Sequence, residues 1–489
     1  MEQTYNLPRK KAFLWLGVFA LVGIVLVLLY PDGYQQDSGY HFLFARWGWR
    51  HPYMFVGVWS RPLFTFLFGF PALLGFEAAR LFSLAIGLAT AWQTWKLARD
   101  LKLERSWLSI VLIFLQPSFF ILYPDLLTEP LYALIFVIAL RLHLRGRVKT
   151  GMLVASLMVL TRPEGFFHGI LWGIWVLFDK RVSPTFWRRL PPSLLLASGG
   201  ILWWAAAFIV TKDPLFIKNN WPSQWQSGVY GDEPFYAYFL RLPEMVGLLL
   251  VVPFLYGLVL LLKRRELGTI TSSFLLLFLL HATFRTLGIL GDAGYPRYMV
   301  CVAPVMAIIT LVGWNEIAQK FAHLSSAIKL ATASLILGIS AGACVLYMDG
   351  LVWIRDAWAI KEAHQWFQQN PRPVKKLVWS HAYMCIRFDS DPTENVIFTP
   401  NRDDNLKQLQ SLPSGTLVFW DGQVGPSWNN LNDKDFESLG YKRLFSRTYE
   451  LRGLIWPYVP QWLVMKWPFV LFKDYAGIRP QEMHLFYRE

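Results

Sequence analysis

Eleven apolar segments follow one another through the first 348 residues, at roughly 12–30, 78–95, 106–123, 130–142, 150–162, 165–178, 193–211, 243–262, 268–290, 297–314 and 328–348. A helix needs about 20 mostly apolar residues to cross the hydrocarbon core. Its backbone polar groups must be satisfied inside the segment, because lipid offers them no partner. A chain patterned this way is expected to fold as an α-helical polytopic membrane protein of about eleven spans. The segments at 130–142, 150–162 and 165–178 are short for this purpose and are expected to be tilted, broken or partly re-entrant.

Charge then orients the set. The chain carries 47 Lys and Arg against 33 Asp and Glu, a formal net charge of +14. In a soluble protein that excess would point to nucleic acid. Only 16% of the residues are charged, however, against about 25% in soluble domains, and the bases concentrate in short loops between apolar runs. Arg9-Lys10-Lys11, Lys96 to Arg105, Arg141 to Lys149, Lys180 to Arg189, Lys263-Arg264-Arg265 and Lys320 fall on alternate loops. The positive-inside rule makes those loops cytoplasmic and excludes a nucleic-acid partner. The other loops face outward: 31–77, the turns near Asp125 and Arg162, 212–242 and the turn near Asp292. An odd number of spans leaves the C-terminus outside as well.

The run from Ala12 to Tyr30 follows a basic stretch but is too long for a signal peptide and lacks a small-residue cleavage site, so it reads as a retained span. Cys301, Cys344 and Cys385 have no metal-ligand spacing and imply no disulfide framework. No Asn-x-Ser/Thr sequon occurs, which favours a bacterial inner membrane over a secretory compartment. From Asp349 the character changes to mixed charge, turn signals and short β-like runs such as Lys376 to Trp379 and Thr416 to Trp420. The expected domains are therefore 1–349 in the membrane and 350–489 as an extracytoplasmic α/β domain. The stretch Ile455 to Phe472, rich in Trp, Pro and Phe, is expected at the membrane interface.

Four outward motifs carry polar chemistry, and each also has a structural explanation. The first loop brings Asp32, Asp37, Tyr40 and His41, followed by Arg61-Pro62-Leu63, close to the membrane surface. It suits acid/base work on a polar substrate, or equally a solvated loop in which Asp32-Gly33 makes a turn. Asp125 and Glu129 stand four residues apart at a membrane boundary, where carboxylates are costly unless hydrated, paired or metal-bound. Thr128-Glu129-Pro130 also reads simply as a helix start. Arg162 and Glu164, beside Pro163, interrupt an apolar run, as a broken helix lining a polar cavity would. A tight hairpin whose two charges pair explains them as well. Tyr295-Pro296-Arg297-Tyr298 opens the tenth span with an arginine at head-group level, suited to phosphate or to snorkelling, and Arg285 invites the same two readings.

Taken in order, these strings resemble the GT-C superfamily of multi-span glycosyltransferases that use polyprenyl-phosphate sugars, among them protein O-mannosyltransferases and the lipid A aminoarabinose transferase. The resemblance covers most of the chain. It rests on Asp37 in an acidic first loop, Arg61-Pro62-Leu63, Leu126-Leu127-Thr128-Glu129-Pro130, Leu160-Thr161-Arg162-Pro163-Glu164-Gly165 and Pro296-Arg297-Tyr298. It implies that Asp37 is the general base on an acceptor hydroxyl, with inversion at the anomeric carbon and positive charge beside the departing phosphate. Arg297 is the first candidate for that charge, with Arg61 and Arg162 behind it. Many relatives carry two adjacent acids where this chain has Asp37-Ser38, so Asp32 remains a rival base. Asp32, Tyr40, His41, Arg61, Asp125, Glu129, Arg162, Glu164, Arg285, Tyr295, Arg297 and Tyr298 complete the expected substrate site.

Asp125 and Glu129 either orient the acceptor or hold a divalent cation with oxygen ligands, and no cofactor is otherwise called for. The implied partners are a polyprenyl-phosphate sugar donor, membrane lipids and an extracytoplasmic glycan, lipid or protein acceptor. A transporter or lipid flippase would be expected to show inverted repeats, and none is visible. A GT-C-like scaffold without activity is the other alternative.

Overall fold

The computed structural model describes residues 2–30, 33, 36–222, 232–352, 355–379, 381–399, 401–422, 424–452 and 478–489. Asp32 and the aromatic stretch Ile455 to Phe472 lie outside the described residues. The chain divides into two compact units. The first comprises Met1–Leu29 with Gly48–Met348, and the second joins Tyr30–Trp47 to Asp349–Glu489. Residues 30–47 thus group with the C-terminal unit.

The first unit is helical. Among the described residues, five helices are long and apolar enough to cross a bilayer: Arg9–Leu29, Phe186–Thr211, Gly268–Leu287, Pro296–Lys320 and Ser326–Met348. The expected spans between them are shorter or interrupted. The run 106–123 is two helices, Leu108–Phe114 and Pro117–Leu122, because Pro117 has no N–H to continue the ladder. The Gln116 amide at the break donates instead to the Ala303 carbonyl, at 3.0 Å. The run 243–262 likewise divides into Leu242–Val246 and Val251–Arg264. Gly247 between them has φ of 114°, a conformation only glycine adopts readily. The short runs become Glu129–Leu144, Val148–Ala155 continued by the 3₁₀ turn Ser156–Leu160, and Glu164–Phe178.

Among its described residues, the stretch 31–77 expected as an outward loop contains the helix Gln36–Trp47, the 3₁₀ turn Pro52–Phe55, the apolar helix Pro62–Leu73 and the start of the helix Phe76–Asp100. Pro62 occupies the first turn of its helix, where a missing N–H costs nothing.

Without a hydrophobic drive between helices in lipid, close packing depends on small residues that let backbones approach. A Cβ on Gly257 would lie 2.2 Å from the Ile309 carbonyl oxygen, and one on Gly313 would lie 1.9 Å from that of Pro253. The helices Val251–Arg264 and Ala303–Lys320 therefore touch through bare backbone. Tyr123 fills the complementary role of a wedge. It packs where Gly23 and Gly87 leave room, and its hydroxyl donates to the Phe19 carbonyl at 3.2 Å.

The second unit contains a five-stranded mixed sheet. Its strands are β1 (Lys376–Trp379), β2 (Val396–Ile397), β3 (Thr416–Asp421), β4 (Tyr441–Arg452) and β5 (Ile478–Arg488). Their order is β2-β1-β3-β5-β4. β1 is parallel to both β2 and β3, with the helices Ala382–Arg387 and Arg402–Ser411 in the crossovers. β5 is antiparallel to β3 and to β4. β3 is buried along its whole length, as its unbroken apolar core Leu417-Val418-Phe419-Trp420 requires. Val378, Leu409, Val418, Phe436 and Phe486 form one of the hydrophobic cores.

Candidate active site

In the first unit, several backbone interruptions bring charge together. Arg162 follows the 3₁₀ turn Ser156–Leu160, where Pro163 prevents a continuous helix. Its guanidinium lies 2.7 Å from Glu129 Oε1 and 2.6 Å from Glu164 Oε1. It also donates to Thr128 Oγ at 3.3 Å. Thr128 is the N-cap residue of the helix Glu129–Leu144, yet its side chain makes no capping bond. Its hydroxyl serves Arg162 instead, so the Thr-Glu-Pro string is both a helix start and part of the charge cluster. Arg162 and Glu164 do pair as a hairpin would have them, and Glu129 extends the pair into a triad.

Arg297 enters from the 3₁₀ turn Pro296–Val302, its Nε 3.8 Å from Glu129 Oε1. Its guanidinium carbon sits 4.9 Å from the Tyr295 ring centre and 5.9 Å from that of Tyr298. Arg162 lies 5.2 Å from the Tyr298 ring, so two cations share one aromatic face system. Arg61, buried at the start of the helix Pro62–Leu73 with φ of 62°, interacts electrostatically with Arg162, Glu164, Glu129 and Tyr298.

Two residues extend this cluster. His281, on the helix Gly268–Leu287, stacks on Tyr298 with ring centres 4.8 Å apart. Its Nδ1 is 2.6 Å from Asp292 Oδ2, and its Nε2 is 3.8 Å from Glu164 Oε1. Arg285, one turn along the same helix, binds Glu233 Oε1 at 2.8 Å and the Asp292 carbonyl at 3.4 Å. Sequence reasoning passed over His281, although a histidine inside an apolar run, four residues before an arginine, is a costly and hence informative placement.

Asp125 does not join this group. It is fully buried, 4.0 Å from the Nε of Arg80, which also donates to the carbonyls of Pro124 and Val27. Asp125 and Glu129 are thus each committed to an arginine, and that arrangement does not fit the pair as ligands of one divalent cation. Among the described residues no group of three or more His, Cys, Asp or Glu is gathered to hold a metal.

Asp37, Tyr40 and His41 belong to the second unit, on the helix Gln36–Trp47. There Tyr40 packs against Trp379 with ring centres 5.7 Å apart, and Arg46 binds Asp389 at 2.5 Å. Burial, followed by the charges of Asp37 and Cys385, pushes the Tyr40 phenol well above its ordinary range. His41 is buried and Asp37 half-buried. A separate cavity of about 550 Å³, lined by Trp204, Pro214, Leu215, Ile217, Lys218 and Trp221, is mostly apolar and contains none of these groups.

The described fold matches the crystal structure of ArnT from Cupriavidus metallidurans bound to undecaprenyl phosphate, with a TM-score of 0.59 over 88% of this chain and 96% of that one. The chain shares the fold of that structure. Identity over the match is 12%. No protein-family model and no curated protein matches the sequence. The shared fold accords with a helical unit whose described residues include five helices long and apolar enough to cross a membrane, and with a separate C-terminal unit built on a sheet.

Proposed function

We propose that this protein is a membrane glycosyltransferase that moves a sugar, mannose or another hexose, from a polyprenyl-phosphate carrier to an acceptor hydroxyl, with inversion at the anomeric carbon. The observation that carries this reading is the group of buried Arg162 and Arg61 and half-buried Arg297 around Glu129 and Glu164, set within a GT-C fold. Guanidinium groups bind phosphate oxygens through paired, charge-assisted hydrogen bonds. Preorganised among carboxylates, they need no rearrangement when negative charge develops on a departing phosphate.

In this reading Asp37 is the general base on the acceptor hydroxyl, and Arg297 is the first contact of the donor phosphate. Tyr295, Tyr298, Arg285, Tyr40 and His41 belong to the substrate site. Asp32, which lies outside the described residues, is the rival base. The basic loops place the N-terminus in the cytoplasm and the C-terminal domain outside, in a bacterial inner membrane. There the acceptor is a glycan, lipid or protein.

The test is release of sugar from a radiolabelled polyprenyl-phosphate hexose by purified protein, with membrane extract as the acceptor source. Wild type should release sugar, and Asp37→Asn should bind donor yet release sugar about 10²–10⁴ times more slowly. Equal release by the two proteins would remove Asp37 from the chemistry. Neither binding nor release by wild type, across several sugars, would defeat the transferase reading in favour of transport or scaffolding.

A further inference from the structure

We propose that His281 and Asp292 form an acid–base dyad whose second imidazole nitrogen passes a proton to the phosphate that leaves the donor sugar. The inference rests on the transferase reading and adds to it a residue on the leaving-group side.

The dyad is fixed in place. Asp292 Oδ1 accepts the Gly294 backbone N–H at 2.7 Å, while Oδ2 faces His281 Nδ1 at 2.6 Å. A carboxylate in that position accepts the Nδ1 proton and so assigns the exchangeable site to Nε2. The same division of labour orients the histidine in hydrolytic triads. Stacking on Tyr298 holds the ring plane.

The working end has no hydrogen-bond partner. His281 is 4% exposed, yet its Nε2 makes no hydrogen bond among the described residues, and neither does the buried Oε2 of Glu164 beside it. A buried polar atom left without a partner costs about 1–3 kcal/mol. A structure keeps such an atom where a ligand completes it. The groups that face His281 are the carboxylates of Glu164 and Asp292, the phenols of Tyr298 and Tyr238, and Arg285 on its own helix. Arg162 stands on the other side of Glu164 and over Tyr298. An anion drawn to Arg162 and Arg297 comes to the same group of side chains that presents Nε2.

The step balances. The bond between the anomeric carbon and the phosphate oxygen breaks, its electron pair goes to that oxygen, and Nε2–H supplies the proton. The acceptor oxygen forms its bond to the same carbon as its own proton goes to the base. Water then returns that proton from the base to His281, and both residues end as they began.

The experiment uses the full-length protein in detergent with radiolabelled polyprenyl-phosphate mannose and membrane extract. It measures kcat and donor dissociation constant for wild type, His281→Gln and Asp292→Asn over pH 6–9. His281→Gln should lose at least about 100-fold in kcat, in the range of proton-transfer catalysis, with donor affinity within about threefold of wild type. The decline of wild-type turnover toward high pH should be absent from the variant.

A kcat within about threefold of wild type, or a loss of donor affinity that accounts for the whole defect, overturns the proposal. Should His281→Gln not fold, the isosteric Asp292→Asn decides. It removes the carboxylate that holds Nδ1–H and should lower kcat at unchanged donor affinity, and an unaltered kcat overturns the dyad. Transfer by wild type together with full activity in the variants defeats this inference alone. Wild type that neither binds nor transfers defeats the transferase reading beneath it.

Discussion

Arg162 Nη1 lies 2.7 Å from Glu129 Oε1, and the Glu129 side chain has no exposure at all. A carboxylate so deeply placed is tolerated where a cation compensates it, and the same guanidinium serves Glu164. Removing one partner of such a pair strands the other.

Arg162→Gln should therefore destabilise the protein by about 3–5 kcal/mol, measured by thermal unfolding in detergent. Arg162→Lys should recover only part of that, since an ammonium is a point charge that does not reproduce a planar fork spanning two carboxylates. A lysine variant as stable as wild type would show that charge alone suffices there.

Arg297 stands at the edge of the same cluster, over two tyrosine rings. Its replacement by Gln should weaken donor binding by about 10–100-fold, the worth of a charge-assisted bond of roughly 1.5–3 kcal/mol. Titration of labelled polyprenyl-phosphate hexose into the purified variant reads this directly. Unchanged affinity would take Arg297 out of the donor site.

At the bare-backbone crossing, Gly313→Leu should be poorly tolerated. Even its Cβ would lie 1.9 Å from a carbonyl oxygen that belongs to another helix, so the helices Val251–Arg264 and Ala303–Lys320 must separate. A cost of at least about 1–3 kcal/mol is expected. Size-exclusion chromatography should show a smaller monodisperse fraction, whereas Gly200→Leu, where the added Cβ meets nothing, should behave as wild type.

The C-terminal unit should lose stability in acid through His484. The ring is buried, stacked on Trp420 and bonded to Ser446. Burial first, and then the charge of Arg443, hold its pKa below the ordinary value. The neutral form is the one the fold accepts, so the stability it contributes is complete above the unfolded-state pKa near 6.5. That contribution is lost as pH falls through the lower folded value. Hydrogen exchange, corrected for intrinsic rates, should show faster opening of β3 and β5 at pH 5 than at pH 7.5, and His484→Gln should flatten the difference. An equal pH response in both proteins would assign the effect elsewhere.

Much of this was legible in the residues. The apolar runs lie in the helices of the first unit, and the strands at Lys376–Trp379 and Thr416–Asp421 lie where short β-like runs and turn signals put them. The Arg-Pro-Glu, Thr-Glu-Pro and Pro-Arg-Tyr strings do meet. What sequence spacing does not carry is which charge takes which partner. Asp125 and Glu129, four residues apart, go to different arginines because Arg80 arrives from the helix Phe76–Asp100, while Arg162 arrives from a break far along the chain. The helix Pro62–Leu73 escaped notice because twelve residues are too few to span a bilayer. His281 escaped because its partners come from two other segments.

The pairing pattern of the second unit sets a timetable. β5 stands between β3 and β4 and bonds to both, so β4 is not joined to the rest of the sheet until residue 488 has been synthesised. The segment 30–47 belongs to that same unit, and its Arg46 meets Asp389 only 343 residues later. During translation this segment must stay uncommitted while the remaining helices of the first unit, through Met348, are made. Assembly of the second unit is thereby deferred to the end of biogenesis, when the membrane helices are already made.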